Sequence, residues 1–460
     1  MDLHTATCHA AAATMSEAVG SSRTPRAEAS RLPSERRDWR TWSACAAALV
    51  TFWAMRIGYW SVTTEEPFSD MAGFREMAER FAAGGKLAVD EFWQSYRAPV
   101  LPLLGALQIV LFGDGLGPWR YMQAALVCGG ACWLARELWH ATGSRWLGST
   151  WLWVTALTQP SVFWSLKFAK EGLHEALSYV VLAAALRLLR RPSLGLAMVV
   201  GALTYAAMLN RTNFVLALAV IPALMVFGRA IPGGLAARLR DAAPWLLAFF
   251  AGAVLAWLPW GVRTWHLYGR PLAMTTDGSC VALDGLGSID VLESDGTRQT
   301  IEYWPFMHSA PQRFPTDHAA DVWLSARVWQ AVLADKTRWL HKAVRNVATS
   351  AFLREISLTR VPRDRLLPAP WQWLLLDKNA VAVVVGIVGV FLLACWHRRL
   401  LVIGLLTVLP WLLACCLLGL PRYLEPAIPL LLFGNVIALA TVVPRAVGLL
   451  LGWHARRARV

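Results

Sequence analysis

Arg97, Lys167, Lys170, Arg211 and Arg422 stand at ends of apolar runs that alternate with arginine-rich loops. Membrane proteins concentrate Lys and Arg on the cytoplasmic side, so if the arginine-rich loops face the cytoplasm, these cations face away from it. A cation kept there calls for an anionic partner, and a lipid phosphate is the simplest one. Acids accompany them: Glu65, Glu66, Asp70, Asp90 and Glu91 lie in the segment 61–97, and Glu171 directly follows Lys170. A carboxylate held at the bilayer surface beside cations has the chemistry of a general base for an acceptor hydroxyl.

Plainer roles compete for the same residues. Asp70 opens an amphipathic pattern and suits a helix N-terminus, and spacing alone favours that cap. Glu171 precedes an apolar helix beside two lysines, which fits either a helix-terminal ion pair or a part in orienting the acceptor or base. Arg97 in SYRAP can snorkel to water, and Arg422 in GLPRYLEP has Glu425 as an internal partner. Arg211, in the tight connection LNRTN, has few options besides a phosphate or carboxylate. Glu66, Glu91 and Tyr423 share these outward segments and are assigned to sugar or acceptor contact. His174 lies near Glu171 on one helix face, but one Glu and one His do not make a metal site. The glycines Gly278, Gly285 and Gly287 in DGSCVALDGLG (277–287) lack the strand, lysine and helix of a nucleotide loop, so that stretch reads as turns.

The elements that must position these groups are membrane helices. The chain has 460 residues, 56% hydrophobic and 16% charged, with mean hydropathy +0.43, a composition of polytopic membrane proteins. The net charge of +14 resides in short loops such as 187–192, 228–241, 396–399 and 452–460, which is a topology and headgroup pattern and excludes a nucleic-acid role. The 25 Trp residues suit two water–lipid interfaces, and the 8 cysteines show neither disulfide nor metal spacing.

Residues 1–40 lack an apolar core and are expected to form a disordered cytoplasmic tail. Apolar runs follow at 43–60, 98–113, 119–138, 146–165, 173–189, 193–209, 213–228, 243–262, 377–396, 399–418 and 424–443. Counting back from a cytoplasmic C-terminus places every arginine-rich loop inside, and 61–97 and 263–376 outside. That alternation leaves one run in excess. The run 98–113 is short, carries Pro99 and Pro102 and ends in GDGLGP, so it is expected to be re-entrant or short. Within 61–97, Met71, Phe74, Met77, Ala78 and Phe81 recur at helical spacing and predict an amphipathic helix along the interface. A helical part near 317–357 places Ala320, Trp323, Leu324, Val328, Val332, Trp339 and Leu340 toward the membrane or the other outward segment. Arg56, Glu137 and Glu175 fall near ends of runs, so the midplane shows no relay of ionisable groups such as ion-coupled transporters use.

In order along the chain stand SDMAGFREMAERFAAGG (69–85), YRAPVLPLLGALQIVLFG (96–113), KEGLHEALSYVVLAAALRLLRR (170–191), GALTYAAMLNRTNFVL (201–216), LPWGVRTWHLYGRPLAMTTDG (258–278) and PRYLEPAIPLLL (421–432). In this order the chain resembles the membrane glycosyltransferases of the C-type superfamily, in particular the group of bacterial protein O-mannosyltransferases and the lipid A aminoarabinose transferase. It departs from them in having Glu171 where the second acid is commonly Asp, and Arg97 where many members carry Lys or His.

The count of apolar runs gives an all-α polytopic fold of ten or eleven transmembrane helices, with an interfacial first outward loop and a small outward domain, and the resemblance is consistent with it. Its parts would be a tail 1–40, a catalytic membrane module 41–262, a periplasmic loop domain 263–376, membrane helices 377–445 and a basic tail 446–460. The resemblance implies a transferase in the bacterial inner membrane, moving a sugar from a polyprenyl-phosphate carrier to a glycan, lipid or protein acceptor on the periplasmic side. Asp70 would be the base and Glu171 the second acid. Arg211 and Arg422, with Lys167, Lys170 and Arg97, would bind the donor phosphate. No cofactor is demanded, and a divalent cation is compatible. A lipid-linked sugar flippase, or a polysaccharide polymerase or ligase, is the alternative reading.

Overall fold

The computed structural model describes residues 39–62, 70–228, 234–292, 297–352, 380–396, 398–417 and 424–441. The C-terminal tail, nearly all of the N-terminal tail, and the candidates Glu66, Arg422 and Tyr423 lie outside the described residues. The chain divides into two compact units. The first, 1–42, is described only at its last four residues, and the second, Ser43–Val460, holds the helical bundle and the outward domain.

The apolar runs become helices: α1 Trp39–Val62, then α2 Asp70–Ala82 from the amphipathic pattern, α3 Val100–Phe112 and α4 Leu116–Thr142. The run 146–165 divides into α5 Arg145–Leu157 and α6 Gln159–Trp164, because Pro160 restarts the chain at the first turn of α6. There follow α7 Lys170–Arg190, α8 Leu194–Asn210, α9 Ala217–Phe227 and α10 Leu235–Tyr268. The segment 263–376, expected to be outward, holds α11 Gly278–Leu286, β1 Ser288–Leu292, β2 Arg298–Glu302, α12 Tyr303–Arg313, α13 Asp317–Ala334 and α14 Lys336–Phe352. The described chain closes with α15 Ala380–Trp396, α16 Leu401–Leu417 and α17 Glu425–Thr441.

By length and apolar composition, α7 and α10 qualify as membrane spans among the described residues. They behave oppositely. Helix α7 is the hub: Ala183, Ala184, Ala185 and Leu186 are fully buried among α4, α8 and their neighbours. Helix α10 leaves Leu247, Phe250, Val254, Leu255 and Leu258 exposed, a surface that suits lipid. Helix α3 has 13 residues, which at about 1.5 Å per residue is shorter than the roughly 30 Å hydrocarbon core.

Helices α8 and α10 approach most closely at two glycines. A Cβ on Gly201 would lie 1.8 Å from the Phe249 carbonyl oxygen, and one on Gly252 would lie 1.8 Å from the Met198 carbonyl oxygen. Small residues allow such backbone contact, which drives helix association where lipid tails are as apolar as leucine. Gly252→Leu is therefore expected to abolish the folded protein. Gly129→Leu, at a position with nothing within 4 Å of its Cβ, is expected to keep it, as size-exclusion yield in detergent would show.

The arginine-rich connections around Arg136, Arg187 to Arg191 and Arg399 gather at one end of the bundle. Arg190 Nη1 meets Glu137 Oε2 at 2.9 Å, and Arg187, Arg191 and Arg399 lie within electrostatic reach of it. At the other end the Asn210 side chain donates to the Lys170 carbonyl at 3.1 Å, joining the end of α8 to the start of α7.

One expectation gains partners and another changes. Arg56 and Glu175, assigned to the ends of their runs, are both buried and share one network: Arg56 donates to Ser165 and Ser161 at 2.8 Å each, while Ser161 and Tyr179 donate to Glu175. Sequence position along a run shows its depth but not which charges face each other across the bundle. The stretch 277–287, read as turns, instead contains α11. Cys280 and Leu283 bury against the outward domain, and Gly287, at φ +84°, ends the helix where an L side chain would be strained.

Described residues of the two segments expected to be outward share one core. Trp93 and Tyr96 of the first segment pack with Cys280, Leu283, Ile289, Val291 and Ile301, and with Ala320, Leu324 and Val328 of α13. Of the two options for the face of α13, contact with the other outward segment is realised. Among the described residues, strand structure is confined to the antiparallel hairpin β1–β2, with Asp290 opposite Thr300.

Candidate active site

Helix α2 presents its first residue, Asp70, toward the bundle because Met71, Phe74, Met77 and Ala78 are buried on one face. That face packs on protein: Phe74 and Ala78 meet Leu101, Trp119, Phe168 and Leu173. Phe81, expected on the same face, is exposed. Arg97 reaches back from the segment before α3, its Nη2 donating to Asp70 Oδ1 at 2.7 Å. The side chains are 24% and 27% exposed, so the pair remains open to a ligand. Burial pulls the Arg97 guanidinium down, but its acidic neighbours, the Asp70 carboxylate foremost, outweigh it and hold the group above its ordinary value.

Phe74 links this pair to α7. Arg97 lies 5.5 Å from its ring centroid and Lys170 lies 5.8 Å from the same ring, so one aromatic ring steadies two cations. Lys170 is within electrostatic reach of Asp277, Arg211, Asp70 and Glu171. Glu171 and Arg211 form a buried ion pair at 3.6 Å, with side chains 5% and 4% exposed. The carboxylate expected as one partner of Arg211 is thus Glu171. Asp70, Arg97, Lys170, Glu171 and Arg211 consequently converge, although 27 residues separate the first two and the last lies in another connection.

The other candidates divide. Lys167 is buried with its ammonium 5.1 Å from the Phe163 ring centroid. Glu91 is engaged at the surface with Lys86 at 3.0 Å, and Asp90 closes a turn by accepting from the Phe92 and Trp93 N–H groups. Glu425, the suggested partner of Arg422, accepts a hydrogen bond from the Trp164 indole, which ties the start of α17 to α6.

Sequence reasoning missed Asp277 and Arg263. Asp277 lies within electrostatic reach of both Lys170 and Arg97. Arg263, at the outward end of α10, donates to Ser95 Oγ at 3.0 Å and to the Leu87 and Gln94 carbonyls at 2.8 and 2.7 Å. The signal existed for Arg263, since it is one more basic residue at the outward end of an apolar run. Asp277 carried none, because it belonged to a stretch read as turns. Beside the ion pair, His174 Nδ1 and Asn210 Oδ1 are buried without a hydrogen-bond partner. Polar atoms left so are costly unless a ligand or water completes them.

The start of α7 is set by Gly172. A Cβ there would lie 2.1 Å from Gln123 Nε2 and 2.3 Å from the Trp164 carbonyl oxygen, the two atoms joined by a 2.6 Å hydrogen bond. Gly172→Ala must therefore push α7 away from α4 and α6, displacing Glu171. We expect it to lower the unfolding temperature and weaken ligand binding, as thermal unfolding with and without polyprenyl phosphate would measure.

The arrangement supplies a base candidate beside cations, able to hold a phosphate and take a proton from an incoming hydroxyl. Among the described residues no three His, Cys, Asp or Glu side chains gather closely enough to hold a metal ion.

The fold is similar to that of a solved oligosaccharyltransferase, and the likeness read from the sequence holds at the level of the fold. The chain superposes on the oligosaccharyltransferase of Archaeoglobus fulgidus in its apo form with a TM-score of 0.52 and 12% identity, over 89% of this chain and 51% of that one. It thus spans about half the length of that protein. The archaeal oligosaccharyltransferase AglB of the same organism, in complex with an inhibitory peptide and a dolichol-phosphate, gives a TM-score of 0.47 and 11% identity, over 93% and 52% of the two chains. ArnT from Cupriavidus metallidurans bound to undecaprenyl phosphate gives a TM-score of 0.37 and 16% identity, over 87% and 78%. No protein-family model matches the chain. No curated protein matches it in sequence.

Proposed function

We propose that this protein is a glycosyltransferase that moves a sugar from a polyprenyl-phosphate carrier to an acceptor hydroxyl or amine. The observation that carries the proposal is the convergence of Asp70 with Arg97, Lys170, Glu171 and Arg211 at the end of the bundle opposite the arginine-rich loops. By the positive-inside rule that end faces away from the cytoplasm, placing the reaction on the periplasmic side of a bacterial inner membrane, with ten or eleven crossings. The fold shared with an oligosaccharyltransferase supports the same class of chemistry.

The donor tail lies in lipid and fixes its phosphate at headgroup depth, where Arg97, Lys170 and Arg211 are placed to receive it. As the bond between the anomeric carbon and the phosphate oxygen breaks, negative charge grows on the departing polyprenyl phosphate, and cations already in position stabilise it without reorganising. Asp70 takes the proton from the acceptor as its oxygen or nitrogen attacks the opposite face of the sugar, so the configuration inverts in one displacement. Arg97 serves twice: it aims Asp70 through the 2.7 Å hydrogen bond, and the donor phosphate competes for the same guanidinium, leaving the carboxylate more basic when the donor is bound. The orphaned atoms of His174 and Asn210 supply sugar or phosphate contacts. Arg422 and Lys167 are further candidates for the donor phosphate, and Tyr423, Glu66 and Glu91 for the sugar or acceptor. A divalent cation is compatible with it, and no step requires one.

The test is incubation of the purified, bilayer-reconstituted protein with polyprenyl-phosphate sugars, scored by release of polyprenyl phosphate. Release is the expected result. Sugar transfer from a nucleotide sugar alone would overturn the proposed donor.

A further inference from the structure

Asp317 opens α13 and is fully buried, at 0% exposure. Its carboxylate joins three separate segments. Oδ2 accepts the Ser95 backbone N–H at 2.7 Å and the Thr276 hydroxyl at 3.1 Å, and Oδ1 accepts the Tyr268 hydroxyl at 2.7 Å. The Thr276 N–H donates to the Ser95 carbonyl at 3.0 Å, so the two backbones run against each other at this point. Ser95 is two residues from Arg97, and Thr276 directly precedes Asp277. From another side, Arg263 holds the same segment through Ser95 Oγ and the Leu87 and Gln94 carbonyls.

A buried carboxylate is costly unless donors satisfy it, and three do so here. Cohesion of the outward domain does not need that charge, because Trp93, Tyr96, Cys280, Leu283 and Leu324 already form an apolar core. The acid instead fixes the backbone beside two charged site residues that arrive from different parts of the chain. Displacements of about 1 Å in such a frame can cost on the order of 100-fold in rate.

We infer that Asp317 is a positioning residue for sugar transfer: it locks the Ser95 backbone to that of Thr276, so that Arg97 and Asp277 enter one site with Asp70 and Lys170. The inference rests on the transferase reading.

Asp317→Asn keeps the shape but turns one acceptor into a donor facing the Ser95 N–H or the Tyr268 hydroxyl. In the reconstituted protein, kcat for polyprenyl phosphate release is expected to fall by up to about 100-fold, with a smaller rise in KM for the donor as Arg97 shifts from the phosphate. In an Arg97→Lys background the same change is expected to cost much less, because both substitutions spoil one arrangement. Tyr268→Phe, which removes a single donor, is expected to lower kcat in the same direction by a smaller factor, and it carries the test if Asp317→Asn does not fold. A purely structural acid would lower folded yield while leaving kcat per donor-binding molecule intact; that result, or equal losses in both backgrounds, overturns the inference. A wild-type protein that releases no polyprenyl phosphate overturns the transferase reading instead.

Discussion

Arg211→Ala is expected to destabilise the protein by about 3–5 kcal/mol, since it strands the Glu171 carboxylate inside the bundle without its counter-ion. Neither side chain exceeds 5% exposure, so solvent screening gives little relief. Thermal unfolding in detergent checks this directly. The double variant Glu171→Gln with Arg211→Met removes both charges together, and stability should largely return, because a buried ion pair contributes little over uncharged groups of similar volume. Turnover should not return, since the proposed phosphate site loses a cation. Recovery of both would assign the pair to folding alone.

Asp70→Asn is expected to lower the rate of sugar transfer by about 10²- to 10⁴-fold, the range of a general base. Stability should change little, because the Asp70–Arg97 pair is partly exposed and such pairs are worth little. Binding of polyprenyl phosphate should be retained or improved: Arg97, freed of its carboxylate, remains with Lys170 beside the Phe74 ring. Steady-state rates and lipid binding on one preparation check both halves. A variant that binds and turns over normally would leave Asp70 as the helix-terminal acid that spacing alone suggests.

Much of this architecture was legible because membrane helices announce themselves by composition. The runs 119–138, 173–189 and 243–262 each fall within a helix, and the spacing of Met71, Phe74, Met77 and Ala78 marks the face that α2 buries. What lies against that face was not legible. An amphipathic pattern is the same for a helix on lipid as for one on Leu101, Trp119 and Phe168. The pairings Asp70–Arg97 and Glu171–Arg211 depend on which loops meet at one end of the bundle, and topology placed those loops together without giving partners. Asp317 shows the limit most plainly. It is 222 residues from Ser95, whose N–H it accepts, and in the sequence it is simply an acid at the start of an amphipathic helix.

The described residues gather basic side chains at two ends of the bundle, around Arg97, Lys170 and Arg211 and around Arg187, Arg190 and Arg399, and the proposed transferase uses the first. The most direct measurement is photocrosslinking with a polyprenyl phosphate that carries its reactive group beside the phosphate, with mass mapping of the labelled peptides. Labelling of peptides containing Arg97, Lys167 to Glu171 and Arg211, lost when an unlabelled polyprenyl-phosphate sugar is added, is the predicted result. Labelling confined to the arginine-rich end around Arg136, Arg187, Arg190 and Arg399 would contradict it.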